Sequence, residues 1–182
     1  MNANSAPEAA RIGRRITALR RERGWSLNEL ALRAGVGKAT LSGVEAGTRN
    51  PTLETLYAIA GQLGLPLAAV LADPRDGIEA VSTVHGTAVT AELLAVFNEP
   101  TAVFEYYRVV IKPSLRQTSP AHVAGTTEHL TVYRGIGYVG ASHTPLKVMA
   151  GSYATWNADE PHIFEADEEI HGALLIRYPS AA

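Results

Sequence analysis

The period of the hydrophobic pattern changes once along this chain, and that change excludes a single uniform architecture. Up to about residue 72, apolar residues recur three and four apart, as on one face of a helix. Beyond it they alternate with polar residues, as in half-buried strands. Between the two halves, Ala72-Asp73-Pro74-Arg75-Asp76-Gly77 is short and charged and carries both proline and glycine, the composition of a linker. The reading is an α + β multidomain chain, with a helical unit over 7–72, a linker over 73–77 and an all-β unit over 78–180. A length of 182 residues accommodates one or two such domains.

Five helices are expected in the first half. Helix one runs from Pro7 to Arg23, with Ile12, Ile16 and Leu19 on one stripe. Ser26 is a good N-cap for helix two, and Glu29 three residues on completes a capping box. Leu27, Leu30, Ala31 and Ala34 give that helix an apolar face, and Gly35 sits where it must stop. Val36 plugs the turn, and a third helix runs from Lys38 to Ala46 with Leu41 and Val44 facing inward. Thr52 caps a fourth helix that ends at Gly64, and a fifth spans Pro66 to Leu71. Small Ala31, Gly35 and aliphatic Leu41 allow helices two and three to pack closely at a steep angle. This is the helix-turn-helix, whose second helix enters the DNA major groove.

Residues 11–72 resemble the lambda-repressor/Cro-like (Xre) family of DNA-binding domains, which the run from Trp25 to Leu71 matches over its full length. Glu45 and Gly47 match the family's ending of the recognition helix, and Pro51 its opening of the next helix. The resemblance implies contact with double-stranded DNA. Helix geometry places Gly37, Lys38, Ala39, Ser42 and Gly43 on the exposed N-terminal face of helix three. Asn28 stands where family members carry a phosphate-contacting glutamine, Thr40 is within reach of the backbone, and Arg49 and Asn50 suit phosphate contact. This face is poor in long polar side chains, so shape readout and close backbone approach carry much of the specificity. Residues 1–72 hold nine Lys/Arg against five Asp/Glu, whereas 73–182 hold seven against thirteen. The basic half is thus the half with the DNA motif, as phosphate neutralisation requires. Arg11, Arg14, Arg15, Arg20, Arg21 and Arg23 crowd helix one; each is a candidate for DNA or simply a solvated residue.

In the second half, strands are expected over 78–84, 88–96, 103–111, 129–133, 136–139, 147–149, 152–156, 162–165 and 173–178. Two segments there resemble the paired motifs of the cupin family. The first is His122-Val-Ala-Gly125-Thr-Thr-Glu128-His129-Leu-Thr-Val-Tyr-Arg-Gly135. The second is Gly151-Ser-Tyr-Ala-Thr-Trp156-Asn-Ala-Asp159-Glu-Pro161-His162. The resemblance implies a double-stranded β-helix, or jelly-roll, barrel. In metal-bearing cupins two histidines and a glutamate of the first motif join a histidine of the second around one ion. By motif position His122, Glu128 and His162 match three of these, while Ala124 occupies the place of the fourth. His129 follows Glu128 directly, and neighbouring strand residues point to opposite faces, so His129 looks out if Glu128 looks in. Three protein ligands can hold a divalent metal such as zinc, iron or nickel, with water completing the shell. In a metal-free pocket the same three residues would bind a polar effector, walled by Tyr106, Trp156 and Phe164. Ser152 stands where many cupins carry aspartate.

The chain has no cysteine, which excludes disulfides and thiolate chemistry and fits a reducing cytoplasm. No apolar run is long enough to span a membrane. The expected function is a cytoplasmic, non-enzymatic transcriptional regulator, a homodimer on paired half-sites, whose cupin domain binds a small-molecule effector or metal and modulates operator binding. Two alternatives stand beside it: a metal-dependent cupin enzyme of oxygenase or isomerase type with an attached DNA module, and a barrel that serves only to pair subunits.

Overall fold

The structure is a computed structural model that describes residues 5–71 and 83–180. The chain divides into two compact units, Met1–Ser82 and Thr83–Ala182. The expected linker at 73–77, and the part of the expected first strand over 78–82, lie outside the described residues.

The first unit consists of α1 (Ser5–Glu22), α2 (Leu27–Arg33), α3 (Lys38–Glu45), α4 (Leu53–Leu63) and α5 (Leu67–Leu71). Local chemistry sets their ends. Ser26 Oγ accepts from the Glu29 backbone N–H at 3.1 Å and starts α2. The Glu29 carboxylate does not reach back to complete the capping box. It accepts from Arg33 one turn later at 2.9 Å, because an opposite charge at i+4 competes for it. Gly35 adopts φ 62° in the turn, and Val36 N–H donates back to the Ala31 carbonyl at 3.0 Å. Thr52 Oγ1 caps α4 by accepting from Thr55 N–H at 3.3 Å. The buried stripe of each helix meets in one core built from Ile12, Ile16, Leu30, Leu41, Leu56, Ile59 and Leu67.

The α1–α3 contact is unusually close. A Cβ on Gly13 would lie 2.3 Å from the Val44 carbonyl oxygen, so only glycine lets the two backbones approach. Beside it, Arg20 donates from Nε and Nη2 to the two carboxylate oxygens of Glu45, both at 2.7 Å, and from Nη1 to the Trp25 carbonyl at 2.8 Å. Arg20 and Glu45 are about nine-tenths buried, so this bidentate pair is part of the core. Arg15 Nε donates to the Ala69 carbonyl at 3.0 Å, and Arg23 donates to the Leu63 carbonyl. Three of the helix-one arginines therefore tie helices together, while Arg14 and Arg21 are exposed.

The second unit is a single antiparallel sheet wound on itself. Its strands are β1 (Thr83–His85), β2 (Val89–Glu99), β3 (Ala102–Ile111), β4 (Arg116–Ser119), β5 (Thr127–Ala141), β6 (Leu146–Met149), β7 (Tyr153–Asn157) and β8 (His162–Pro179). The order is β1-β2-β3-β8-β5-β6, with β4 added to β8 and β7 to β5. The long strands β5 and β8 pair along their whole lengths and change outer partners midway. The first part of β5 takes β7 and the second takes β6; the first part of β8 takes β4 and the second takes β3. This is the jelly-roll arrangement expected of the cupin barrel.

Two expected breaks in the sheet are absent. Segments 129–133 and 136–139 form one strand, as do 162–165 and 173–178. Gly135 and the acidic run before His171 suggest turns by composition. In fact the β5–β8 register shifts between Val132 and Gly137, and a Cβ on Gly135 would stand 2.2 Å from the Glu169 carbonyl oxygen. The glycine therefore marks an irregular ladder with close backbone approach. Strand β4 escapes the hydrophobic pattern because Arg116-Gln117-Thr118-Ser119 contains no apolar residue, yet Gln117 and Ser119 are buried. Ser152, at the position many cupins give to aspartate, accepts from Met149 N–H through Oγ at 3.0 Å and closes the β6–β7 turn.

Replacing Arg20 with Met should lower the stability of the helical unit by about 3 kcal/mol, because it strands the Glu45 carboxylate. Urea unfolding of the full chain measures this. The double variant Arg20→Met/Glu45→Leu should recover most of the loss, since it removes both charges together.

Candidate functional site

The barrel interior gathers the three side chains singled out by motif position. Along β5 the burial pattern alternates, so Glu128, Leu130 and Val132 face inward while His129 faces out. His129 engages the Tyr153 hydroxyl at 2.6 Å and Thr127 at 3.1 Å on the outer surface. His162 opens β8, and His122 lies in the loop between β4 and β5. That loop is fastened to the one before β8: His122 N–H donates to the Ala158 carbonyl at 2.8 Å, Ala158 N–H to the Thr126 carbonyl at 2.9 Å, and Gly125 N–H to the Asp159 carboxylate at 2.9 Å. The two cupin-like motifs thus hold each other in register.

His122 Nε2 lies 2.9 Å from Glu128 Oε1, and His162 Nε2 lies 3.4 Å from the same oxygen. The side chains of Glu128 and His162 are almost wholly inaccessible. Burial pushes the Glu128 carboxyl up. The facing charge of His162 and the hydrogen bond of His122 outweigh it and hold the group at about 2. Glu128 is therefore an acceptor, and His122 Nε2–H donates to it. Burial pushes the His162 imidazole down, but the facing Glu128 carboxylate and the Glu160 carbonyl raise it above its ordinary value. His162 Nδ1 lies 3.0 Å from the Glu160 carbonyl oxygen, which can only accept, so Nδ1 carries a hydrogen. This fixes the ring and aims Nε2 into the barrel.

Among the described residues, Glu128 Oε2 and His162 Nε2 are buried without a hydrogen-bond partner. One ligand atom from each of His122, Glu128 and His162 falls within 4.8 Å of the others. Once a metal displaces the Nε2 hydrogens, the Glu128 carboxylate and the two imidazoles become electron-pair donors suited to a divalent cation.

Trp156 and Phe164 line the same interior. Their rings meet edge to face at 5.9 Å, and Phe164 meets the His162 ring at 5.8 Å. Tyr106 does not belong with them. On β3 the buried positions are Glu105, Tyr107, Val109 and Ile111, so Tyr106 faces outward. Its hydroxyl neighbours the exposed Tyr133 phenol and holds that group above its ordinary value. The expected pocket wall is thus corrected by one residue: Tyr107 is inside, donating to the Glu105 carboxylate at 2.8 Å. The inward Gln117 and Ser119 on β4 were not visible as strand residues. Tyr178, whose ring lies 6.1 Å from that of His122, likewise carries no motif signal.

In the helical unit, Asn28 is the second residue of α2 and is exposed. Gly37 is the N-cap of α3, with no side chain to satisfy the first-turn N–H groups. Lys38, Ala39 and Ser42 are exposed on that helix, as are Arg49 and Asn50 beyond it. Thr40 is half-buried, and Arg49 Nη1 donates to its hydroxyl at 3.4 Å. Gly43 is packed: a Cβ there would stand 3.3 Å from Arg49 Cβ. The missing side chain makes room for Arg49 to fold back along α3. An uncapped, exposed N-terminal turn next to Lys38 and Arg49 is suited to the anionic backbone of a duplex.

The helix-turn-helix family HTH_3 matches residues 16–70. An uncharacterized HTH-type transcriptional regulator of Mycobacterium bovis, Mb0023, is 42% identical over 187 residues, spanning 93% of this chain and 72% of that protein. The HTH-type transcriptional regulator SutR of Escherichia coli is 29% identical over 166 residues, 90% of this chain and 93% of its own. A crystal structure of an HTH_3 family transcriptional regulator from Vibrio cholerae superposes with a TM-score of 0.84 at 24% identity. It covers 97% of this chain and 100% of the other, so both units share its fold.

Glu128→Ala should destabilise the barrel by about 3 kcal/mol, because it leaves the buried His122 without its acceptor and His162 without its facing charge. His129→Ala, one residue along, should change it by less than about 1 kcal/mol. Equal losses in urea unfolding would overturn the assignment of inner and outer faces.

Proposed function

This chain belongs to the HTH-type transcriptional regulators, and from that premise we propose that it is a one-component sensor of the Xre type with a cupin domain. Its helical unit binds an operator, and its barrel binds a small-molecule effector, or a divalent metal, that modulates operator affinity. The observation that carries this reading is the pair of unmet atoms on Glu128 and His162, buried in a chain that also presents an exposed recognition helix. A fully buried polar atom without a partner costs about 1–3 kcal/mol, so a ligand that satisfies it gains differential binding energy.

Lys38, Ala39, Ser42 and the Gly37 turn meet the major groove, while Asn28, Thr40, Arg49 and Asn50 hold phosphates. The regulator acts as a homodimer on two half-sites about one helical turn apart, and it operates in the cytoplasm, where its operator lies. His122, Glu128 and His162 would hold zinc, iron or nickel. The ion, when bound, supplies a Lewis-acidic anchor for an oxygen ligand. The chain's own contribution is orientation: the Glu160 carbonyl sets the His162 ring, and the zipped loops set His122. The relatives named as regulators support a sensing role over turnover. Turnover by the metal-loaded protein would instead establish a cupin enzyme carrying a DNA module.

Full-length protein should recover preferred fragments from a genomic pull-down. Lys38→Ala should then weaken that operator about tenfold, and an unchanged affinity would remove Lys38 from the interface. His162→Ala should leave basal operator binding near normal and abolish the response to added effector or metal.

A further inference from the structure

The barrel holds more unmet polar atoms than the His–Glu–His group alone, and they are not balanced in kind. Ser119 Oγ, Gln117 Nε2 and Trp156 Nε1 are buried without a hydrogen-bond partner, alongside Glu128 Oε2 and His162 Nε2. Their residues are 0, 1, 7, 1 and 0% exposed, respectively.

The register places them together. Ser119 stands opposite His162 across the β4–β8 ladder, and Gln117 opposite Phe164. Trp156 stands opposite Glu128 across the β5–β7 ladder. Directly opposed residues in an antiparallel pair put their side chains on the same face, about 5 Å apart at Cβ. The Trp156 and His162 rings are 6.4 Å apart. Ser119 and Trp156 thus flank the His–Glu–His group on the inner face, with Gln117 two residues further along β4 and its amide beside Gly86.

Their chemistry selects a partner. An indole N–H can only donate. The Gln117 amide is fixed, because its Oε1 accepts from both Ala88 and Val89 N–H at 3.1 and 3.0 Å, leaving only its NH₂ to offer. The Ser119 hydroxyl donates or accepts. Against these donors stands the spare oxygen of Glu128; its other oxygen faces the two histidines, and His162 Nε2, 3.4 Å from it, is turned to Glu128 rather than to a ligand. An interior with more donors than acceptors is completed by a ligand with more acceptors than donors. A carboxylate offers two oxygens and no hydrogen. A neutral amide offers one acceptor oxygen where a carboxylate offers two, and an amine offers none.

We propose that Ser119 and Trp156 are specificity residues that receive the carboxylate of a small organic acid, with Gln117 as a further donor. This rests on the barrel being the effector site and adds the ligand's class and the atoms that recognise it.

The test uses full-length Trp25→Phe, which leaves Trp156 as the sole indole; phenylalanine retains an aromatic ring for the Arg33 guanidinium that lies 4.5 Å over the Trp25 ring. Acid and amide pairs are titrated: acetate with acetamide, glycolate with glycolamide, and lactate with lactamide. Each pair is measured after chelator dialysis and again with Zn²⁺ added, by indole fluorescence and melting temperature. At least one acid should change Trp156 emission and raise the melting temperature, with its amide at least tenfold weaker. Ser119→Ala should weaken the acid about tenfold while leaving the unliganded protein as stable as before or more so, because it deletes an unmet hydroxyl. A purely structural Ser119 would show the reverse. Amides binding as well as acids, no acid binding in either condition, or full affinity in Ser119→Ala would each overturn the proposal. Acid binding without any change in operator affinity would retain it and remove sensing. An operator response to a non-acidic compound, with no acid bound, would retain sensing and remove the carboxylate.

Discussion

An ionised carboxylate in the middle of a β barrel is the constraint around which the second unit is arranged. Glu128 lies on the central strand β5, and the alternation that turns His129 outward turns Glu128 into the barrel. Burial alone would neutralise it. It remains charged because two imidazoles converge on one of its oxygens. That convergence needs His122 and His162 brought in from opposite ends of the motif pair. The backbone zipper between the 120–126 loop and the 157–161 loop does this. The hydrogen bonds of those loops are therefore part of the electrostatics of the site.

Satisfying one oxygen of Glu128 leaves the other unmet, and the barrel does not use its nearby donors to compensate. Gln117 spends its acceptor on the backbone at Ala88 and Val89, which tethers the β1–β2 turn to β4. His162 spends Nδ1 on Glu160. In each case one half of a bifunctional side chain fixes orientation and the other half is left buried and unmet. Such a division is costly for a core and useful for a binding site, since the inward groups are held in place before a ligand arrives.

The helical unit was almost wholly legible from sequence, because caps, turn glycines and helical spacing are local signals that agree with one another. Ser26, Gly35, Thr52 and Gly64 all act where their chemistry predicts. The barrel was legible in class but not in segmentation. Gly135 reads as a break because composition does not distinguish a turn from a strand irregularity with close backbone approach. The polar strand β4 gives no periodic signal, since its inward residues, Gln117 and Ser119, are inside for hydrogen bonding rather than for apolar burial. For the site, motif position located His122, Glu128 and His162, and strand alternation placed His129 outside. Tyr106 was misplaced because the β2–β3–β8 ladder fixes which face of β3 looks inward, and that register is non-local.

The recognition helix raises a complementary point about precision. Its exposed face offers Lys38, but otherwise short groups: Ala39, Ser42 and the backbone at Gly37. Long side chains tolerate small displacements of the helix that carries them, because their rotamers absorb the error. Short ones and backbone N–H groups do not, so contacts made through them require the helix axis itself to be placed accurately. The structure meets that requirement by pressing α3 onto α1 at Gly13, where no side chain intervenes. The Arg20–Glu45 fork then locks the far end of α3, and Arg49 lies folded back along its outer face. Arg20, one of the six arginines that crowd helix one by sequence, is thus spent inside the unit, where it fixes the placement of α3.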